Sequence, residues 1–197
     1  MLGAAHCGRF AGGDAVSLAT GGKVLEGLRQ AGGGDRQALS AIIQASDNFS
    51  AKEKACALDL VERALRAASD GVENPDYRLL VAVGSSGAPE GYVCFGEADF
   101  ARGAFDLYWI VVHPDARRRG LGRQLLAAFE GAARAGGARL LLITTTARED
   151  YRAAHGAYRA AGFTVMARIS DYYAPGEDQL VFAKKMAARS LSPARTK

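Results

Sequence analysis

Apolar residues in this chain change their spacing several times, and each change marks an element. Between Asp35 and Ser46 they fall at Leu39, Ile42 and Ile43, a helical period with Asp35 available as an N-cap. Asp47-Asn48-Phe49-Ser50 breaks that period. Ser50 stands three residues before Glu53, the capping-box offset, and Cys56, Leu60, Val61 and Leu65 continue as the stripe of a second helix, ending near Ser69-Asp70-Gly71. From Tyr77 the period becomes two. Tyr77 to Val83, Gly91 to Phe95 and Gly103 to Val112 read as three meandering strands, with Gly84-Ser85-Ser86-Gly87 as a turn. In the third strand Ala104, Asp106, Tyr108 and Ile110 alternate with Phe105, Leu107, Trp109 and Val111. Gln124 to Arg134 is amphipathic. Leu140 to Thr145 is short and almost wholly apolar, as a strand covered on both faces would be. Tyr151 to Ala161 reads as a helix closed by Gly162, and Phe163 to Ile169 and Gln179 to Lys185 as the last strands. The order predicts an α/β fold, a mixed sheet flanked by helices in a single domain.

The ends differ from this middle. Residues 1–34 are rich in Gly and Ala and lack the ~7–15 consecutive apolar residues of a secretory segment. They are expected to be a mobile leader, in which Lys23 to Gln30 is either a short first strand or a helical turn. The globular domain is expected over 35–186, with a basic flexible tail at 187–197. No apolar run approaches the ~20 residues that a membrane-spanning helix needs.

Composition narrows the chemistry only a little. Hydrophobic residues are 49% of the chain, enough for a real core. The net charge of +4 suits a polyanionic ligand without demanding nucleic acid. Cys7, Cys56 and Cys94 are odd in number and lack ligand spacing, as His6, His113 and His155 do, so no metal is expected. Cys56 and Cys94 read as small buried hydrophobes in a reducing cytoplasm.

One stretch carries more specific chemistry. Trp109-Ile110-Val111-Val112 stops at His113-Pro114, Arg117-Arg118-Arg119 follow, and Gly120-Leu121-Gly122-Arg123 open the amphipathic helix. Strand, basic turn and helix start direct backbone N–H groups and the positive end of a helix dipole at one place, a site for phosphate. Three arginines at a dipole end that repels cations are not explained by chain turning alone. No Gly-x-x-x-x-Gly-Lys-Ser/Thr is present, and the glycines follow three strands rather than opening a βαβ repeat, which disfavours P-loop and dinucleotide folds. The arginines form one turn without stacking aromatics, which disfavours nucleic acid.

The order strand, Arg-x-x-Gly-x-Gly, helix resembles the acetyl-coenzyme A pyrophosphate loop of the GNAT family of N-acetyltransferases. Tyr158-Arg159-Ala160-Ala161-Gly162-Phe163 resembles the family's Tyr-x-x-x-Gly-Phe segment. Asp171-Tyr172-Tyr173-Ala174-Pro175-Gly176-Glu177-Asp178 resembles the tyrosine-rich loop and acidic hairpin of its ribosomal-protein N-terminal acetyltransferase branch. The resemblance spans roughly 35–186. It implies a mostly antiparallel sheet, acetyl-CoA as co-substrate, and transfer by direct attack to a primary amine of a small molecule, an amino acid or a protein N-terminus. Relatives are often homodimers. Ile110, Val111 and Val112 would offer main-chain N–H groups to the coenzyme, and Arg117, Arg118, Arg119, Gly120, Leu121, Gly122 and Arg123 would hold its pyrophosphate. Tyr158, a phenol protonated at neutral pH, would protonate the leaving thiolate. Asn48, Phe49, Tyr108, Tyr172 and Tyr173 would line the acceptor groove.

The general base departs from the family pattern. Many relatives carry a Glu near the strand end that corresponds to Leu142 to Thr145, where this chain has Ile143-Thr144-Thr145-Thr146. Asp106, Glu97, Asp99 and Glu177 remain, with Asp106 or a water chain favoured. His113 reads as a solvated loop residue. His155, three residues before Tyr158, would line the coenzyme channel or cap a surface. The missing glutamate also leaves room for an acyl-CoA sensor that keeps the cradle without catalysis.

Overall fold

The computed structural model describes residues 27–72 and 75–186. Residues 1–26 of the expected leader, with His6, Cys7 and the start of the undecided first element, lie outside the described residues, as do Asn74 and the basic tail; residues 27–34 of that leader are described and include a strand.

The chain forms β1 (Leu28–Gln30), α1 (Arg36–Gln44), α2 (Ala51–Ser69), β2 (Arg78–Val83), β3 (Pro89–Glu97), β4 (Ala104–Val112), α3 (Leu121–Ala135), β5 (Leu140–Thr146), α4 (Arg152–Ala160), β6 (Thr164–Ala174) and β7 (Glu177–Lys185). The part of Lys23 to Gln30 that is described is thus a strand. The α1–α2 pair follows the apolar spacing closely. Ser50 Oγ accepts the Glu53 N–H at 3.3 Å, and the Glu53 carboxylate accepts the Ser50 N–H at 2.8 Å, closing the predicted capping box. Two local expectations fail. Asp35 makes no cap on α1; Arg29 at 2.6 Å and the Gly32 N–H at 2.8 Å take its carboxylate, and the Arg29 bond holds its pKa below the usual carboxylate value. Cys56 is exposed, because the buried stripe of α2 runs through Ala57, Leu60, Val61, Ala64 and Leu65, one position round the helix; Cys94 is buried.

The sheet order is β1-β2-β3-β4-β5-β7-β6, and every neighbouring pair is antiparallel except β4–β5, which α3 connects. One face carries Phe95, Phe105, Leu107, Leu141, Ile143 and Phe182 against Leu125, Leu126 and Phe129 of α3 and Tyr158 of α4. The other carries Leu79, Val81, Tyr92, Cys94, Trp109 and Val111 against Ile42 and Ile43 of α1 and Ala57 and Val61 of α2.

Two features of β4 shape the site. Cys94 pairs with Trp109 but Phe95 with Leu107, so Tyr108 is an extra, bulged residue. The bulge reverses the side-chain alternation: Phe105 and Leu107 face α3, whereas Trp109 and Val111 face α1 and α2. The uninterrupted alternation expected from sequence is therefore corrected at Tyr108. Pairing of β4 with β5 also stops at Leu107 and Ile143, while β5 continues along β7 to Thr146 and Gln179. A gap opens between Tyr108–Val112 and Thr144–Thr146. Finally, β6 extends to Ala174, so Tyr172 and Tyr173 lie on a strand rather than in a loop.

Candidate active site

The cradle forms where β4 ends. His113 is not merely solvated: its Nδ1 accepts the Asp115 N–H at 3.3 Å and so starts the single 3-10 turn Pro114–Ala116. Arg117 is extended, Arg118 is left-handed at φ +63°, and Gly120 is left-handed at φ +81°. A left-handed conformation costs a residue with a Cβ about 1–2 kcal/mol, so Arg118 holds strain that the turn imposes. Alternation of hand turns successive N–H groups toward one point, making an anion nest. No side chain caps α3, so the first N–H groups of that helix face the same point. A Cβ built at Gly120 would meet nothing within 4 Å, and one at Gly122 only Val112 Cγ2 at 4.0 Å, which leaves the cradle open to a ligand. The arginines divide. Arg119 is tied down by Asp115 O at 2.8 Å and Glu90 Oε1 at 3.4 Å, while Arg117, Arg118 and Arg123 are exposed.

Beside the cradle, the gap leaves main-chain groups of β4 without a neighbouring strand. The His113 N–H donates to Glu90 O at 2.8 Å. Antiparallel alternation then turns Val111 and Trp109 toward β3 as well, and the N–H groups of Ile110 and Val112 into the gap. Donors fixed in a strand and aimed into a cleft suit a carbonyl that gains negative charge.

The two faces of the gap differ in chemistry. On the α3 and α4 face, Tyr158 is 6% exposed and its ring packs edge-on against Phe182 at 5.5 Å. Burial raises its pKa well above that of a free phenol, so it keeps its proton. One turn earlier His155 is buried and its Nε2–H donates to Thr146 O at 2.9 Å, which pins the end of β5. Burial pushes His155 below its usual value toward the neutral ring, and the charge of Arg159 acts in the same direction.

On the α1 and α2 face, Phe49 meets Trp109 edge-on at 4.9 Å, and the Tyr151 hydroxyl reaches Asn48 O at 3.5 Å. Tyr173 Oη accepts from Gln179 Nε2 at 3.3 Å, and Thr146 Oγ1 donates to Glu177 Oε1 at 3.0 Å. Asn48, Phe49 and Tyr173 are thus brought to the end of β5, and Tyr172 sits outside them, 52% exposed. Asp106 and Tyr108 are not part of that group. Tyr108 packs edge-on against Tyr77 at 5.2 Å, on the β2 side. Asp106 lies three ladder steps before Ile110, since Tyr108 is bulged out, about 10 Å along the strand. Its carboxyl is raised to about 6, first by burial and then by Asp99. Glu97 accepts the Gly103 N–H at 2.8 Å in the β3–β4 turn, one residue pair further from the gap. Sequence spacing signals neither Tyr151 nor Thr146 as part of the site, since each acquires its place through pairing or packing across more than thirty residues.

An open mixed sheet thus parts beside an anion cradle at a helix N-terminus, an arrangement that can take a phosphorylated ligand. Comparison with known proteins identifies the family. The model of the acetyltransferase (GNAT) family matches residues 43–163, and the chain belongs to that family. It is an acetyl-CoA-dependent N-acetyltransferase in the general sense that the family defines. Similar solved structures include a GNAT-family protein of Desulfovibrio desulfuricans (28% identity, TM-score 0.72, covering 80% of this chain and 97% of that one). Another is the ribosomal-protein-alanine N-acetyltransferase of Brucella melitensis (24%, 0.62, 81% and 99%). A third is the phosphinothricin acetyltransferase of Sinorhizobium meliloti in complex with acetyl-CoA (20%, 0.65, 85% and 92%). The search of curated proteins gave no match. Among the described residues no group of His, Cys, Asp and Glu could hold a metal ion, and no helix is long and apolar enough to cross a membrane.

Proposed function

We propose that this chain transfers the acetyl group of acetyl-CoA to a primary amine of a small molecule, an amino acid or a protein N-terminus, by direct attack within a ternary complex. The observation that carries the reading is the gap between β4 and β5, with an uncapped helix start at one end and different chemistry on each face. Arg117, Arg118 and the N–H groups from Gly120 to Arg123 hold the pyrophosphate, with Arg119 bracing the loop. Ile110 and Val112 offer their N–H groups to the pantetheine and thioester, and Val111 keeps that strand seated on β3. Tyr158 gives its proton to the departing thiolate from one face. The amine enters from the other, between the Asn48–Phe49 loop and Tyr173, with Tyr172 at the mouth. Cys94 is buried and Cys56 stands on the exposed side of α2, so neither supports an acyl-enzyme route.

An acceptor screen tests this. Thiol release from acetyl-CoA is followed with amino acids, polyamines and alanine-initiated peptides, for the wild type and Tyr158→Phe. The expected result is turnover with at least one amine, and in Tyr158→Phe a kcat about 100-fold lower with little change in coenzyme affinity. Equal kcat in the two proteins removes Tyr158 as the acid. Binding of acetyl-CoA without transfer to any amine argues for a sensor instead.

A further inference from the structure

We infer that Glu177 is the group that takes the proton from the attacking amine, a carboxylate supplied by β7 where the family pattern would place one on β5. The inference rests on the direct-attack reading of the reaction.

Residues paired across a sheet share a face. Ile143 pairs with Phe182 and Thr145 with Leu180, and these point into the α3 and α4 core with Tyr158. Thr144 and Thr146, paired with Val181 and Gln179, therefore point to the opposite face, where the acceptor loop lies. Glu177 stands two residues before Gln179 and shares that face. Counting on from Leu107 and Ile143, with Tyr108 as the extra residue, Thr146 stands across the gap from Val111, between Ile110 and Val112. Glu177 hangs from Thr146 at 3.0 Å, so its carboxylate is at the level of the N–H groups that receive the thioester.

Three further details fit a working position rather than a surface one. Thr146 is itself held twice, its carbonyl by His155 at 2.9 Å and its hydroxyl by the Arg148 N–H at 3.2 Å, so the hydroxyl that orients Glu177 does not drift. Tyr173 is tied at 3.3 Å to Gln179, the strand partner of Thr146, which brings the aromatic wall of the groove to the same end of β5. The other carboxylates named from the sequence lie elsewhere: Glu97 and Asp99 belong to the distant β3–β4 turn, and Asp106 is about 10 Å down the strand from Ile110. Acid and base then flank the gap from opposite faces.

Every proton has a donor and a destination. Glu177 removes one proton from the ammonium, directly or through one water, and the freed nitrogen lone pair forms the N–C bond to the acetyl carbon. The C–S bond breaks, the thiolate takes the Tyr158 proton, one proton of the new N–H₂⁺ group restores the phenol through solvent, and Glu177 releases its proton to solvent.

The test uses the full chain and the best amine of the acceptor screen. It compares wild type, Glu177→Gln, Glu177→Asp and Thr146→Val. Fluorescence of Trp109, the only tryptophan, reports acetyl-CoA affinity, and circular dichroism reports folding. Glu177→Gln is expected to lower kcat about 100-fold, to abolish the acid limb of the kcat/KM profile and to leave acetyl-CoA affinity within about twofold. Glu177→Asp should recover part of the rate. Thr146→Val, which keeps the shape but frees the carboxylate, should lower kcat with the coenzyme still bound. A Glu177→Gln protein that keeps the wild-type rate and acid limb overturns the inference alone, as does an acid limb that survives there and disappears in Asp106→Asn. A wild type that transfers to no amine overturns the direct-attack reading and this assignment with it.

Discussion

Gly120 combines a backbone demand with the role in ligand binding proposed for it. Its left-handed φ suits glycine, and the space where its Cβ would stand is empty. These two properties separate by substitution. Gly120→Ala should cost about 1 kcal/mol of stability through its φ alone and raise the acetyl-CoA KM only modestly. Gly120→Glu adds bulk and negative charge to the cradle and should raise that KM at least about tenfold, roughly 1.4 kcal/mol of lost binding, for a similar loss of stability. If both variants bind acetyl-CoA as the wild type does, the loop does not hold the pyrophosphate. Arg118 shows the converse. It accepts a strained φ of +63° that glycine would relieve, which is understandable if its guanidinium is needed there.

At the scale of elements, the end of β5 depends on α4. His155 is the link, since its Nε2–H donates to Thr146 O while burial favours the neutral ring. Burial lowers its folded-state pKa below the usual 6.5, so between the two values the unfolded chain binds more protons. The stabilising contribution is therefore complete above about pH 6.5 and declines as pH falls below it. Urea midpoints measured from pH 7.5 to 5 should fall for the wild type and fall less for His155→Gln; parallel curves would exclude the link. The sequence made the elements themselves legible, because α1, α2 and α4 bury stripes of ordinary period and Gly162 closes α4 at φ +88°. It did not reveal what long-range pairing decides. The Tyr108 bulge leaves no local trace, since the alternating letters read smoothly through it. The seating of Glu177 on Thr146 requires the register of two strands thirty-one residues apart. The basic Gly-x-Gly turn is legible because its pattern is local, whereas side chains such as Thr146 and Glu177 meet only in the folded sheet.

Among the described residues, the one parallel pairing is also the place where the sheet parts. Everything from β1 to β4 is one antiparallel block, β5 to β6 is another, and α3 crosses between them. This has an isotopic consequence. Trp109 and Val111 are only 2% and 6% exposed, yet strand alternation turns the amide hydrogens of their neighbours Ile110 and Val112 to the side where β4 no longer pairs with β5. In deuterated buffer the free protein should label Ile110 and Val112 early, while Trp109 and Val111, bonded to β3, label late. Saturating acetyl-CoA should slow the first pair and leave the second unchanged. Uniform labelling along all four amides would mean that the strands close up in solution. The alternating pattern would mean that this buried strand keeps every second hydrogen in reserve for the coenzyme.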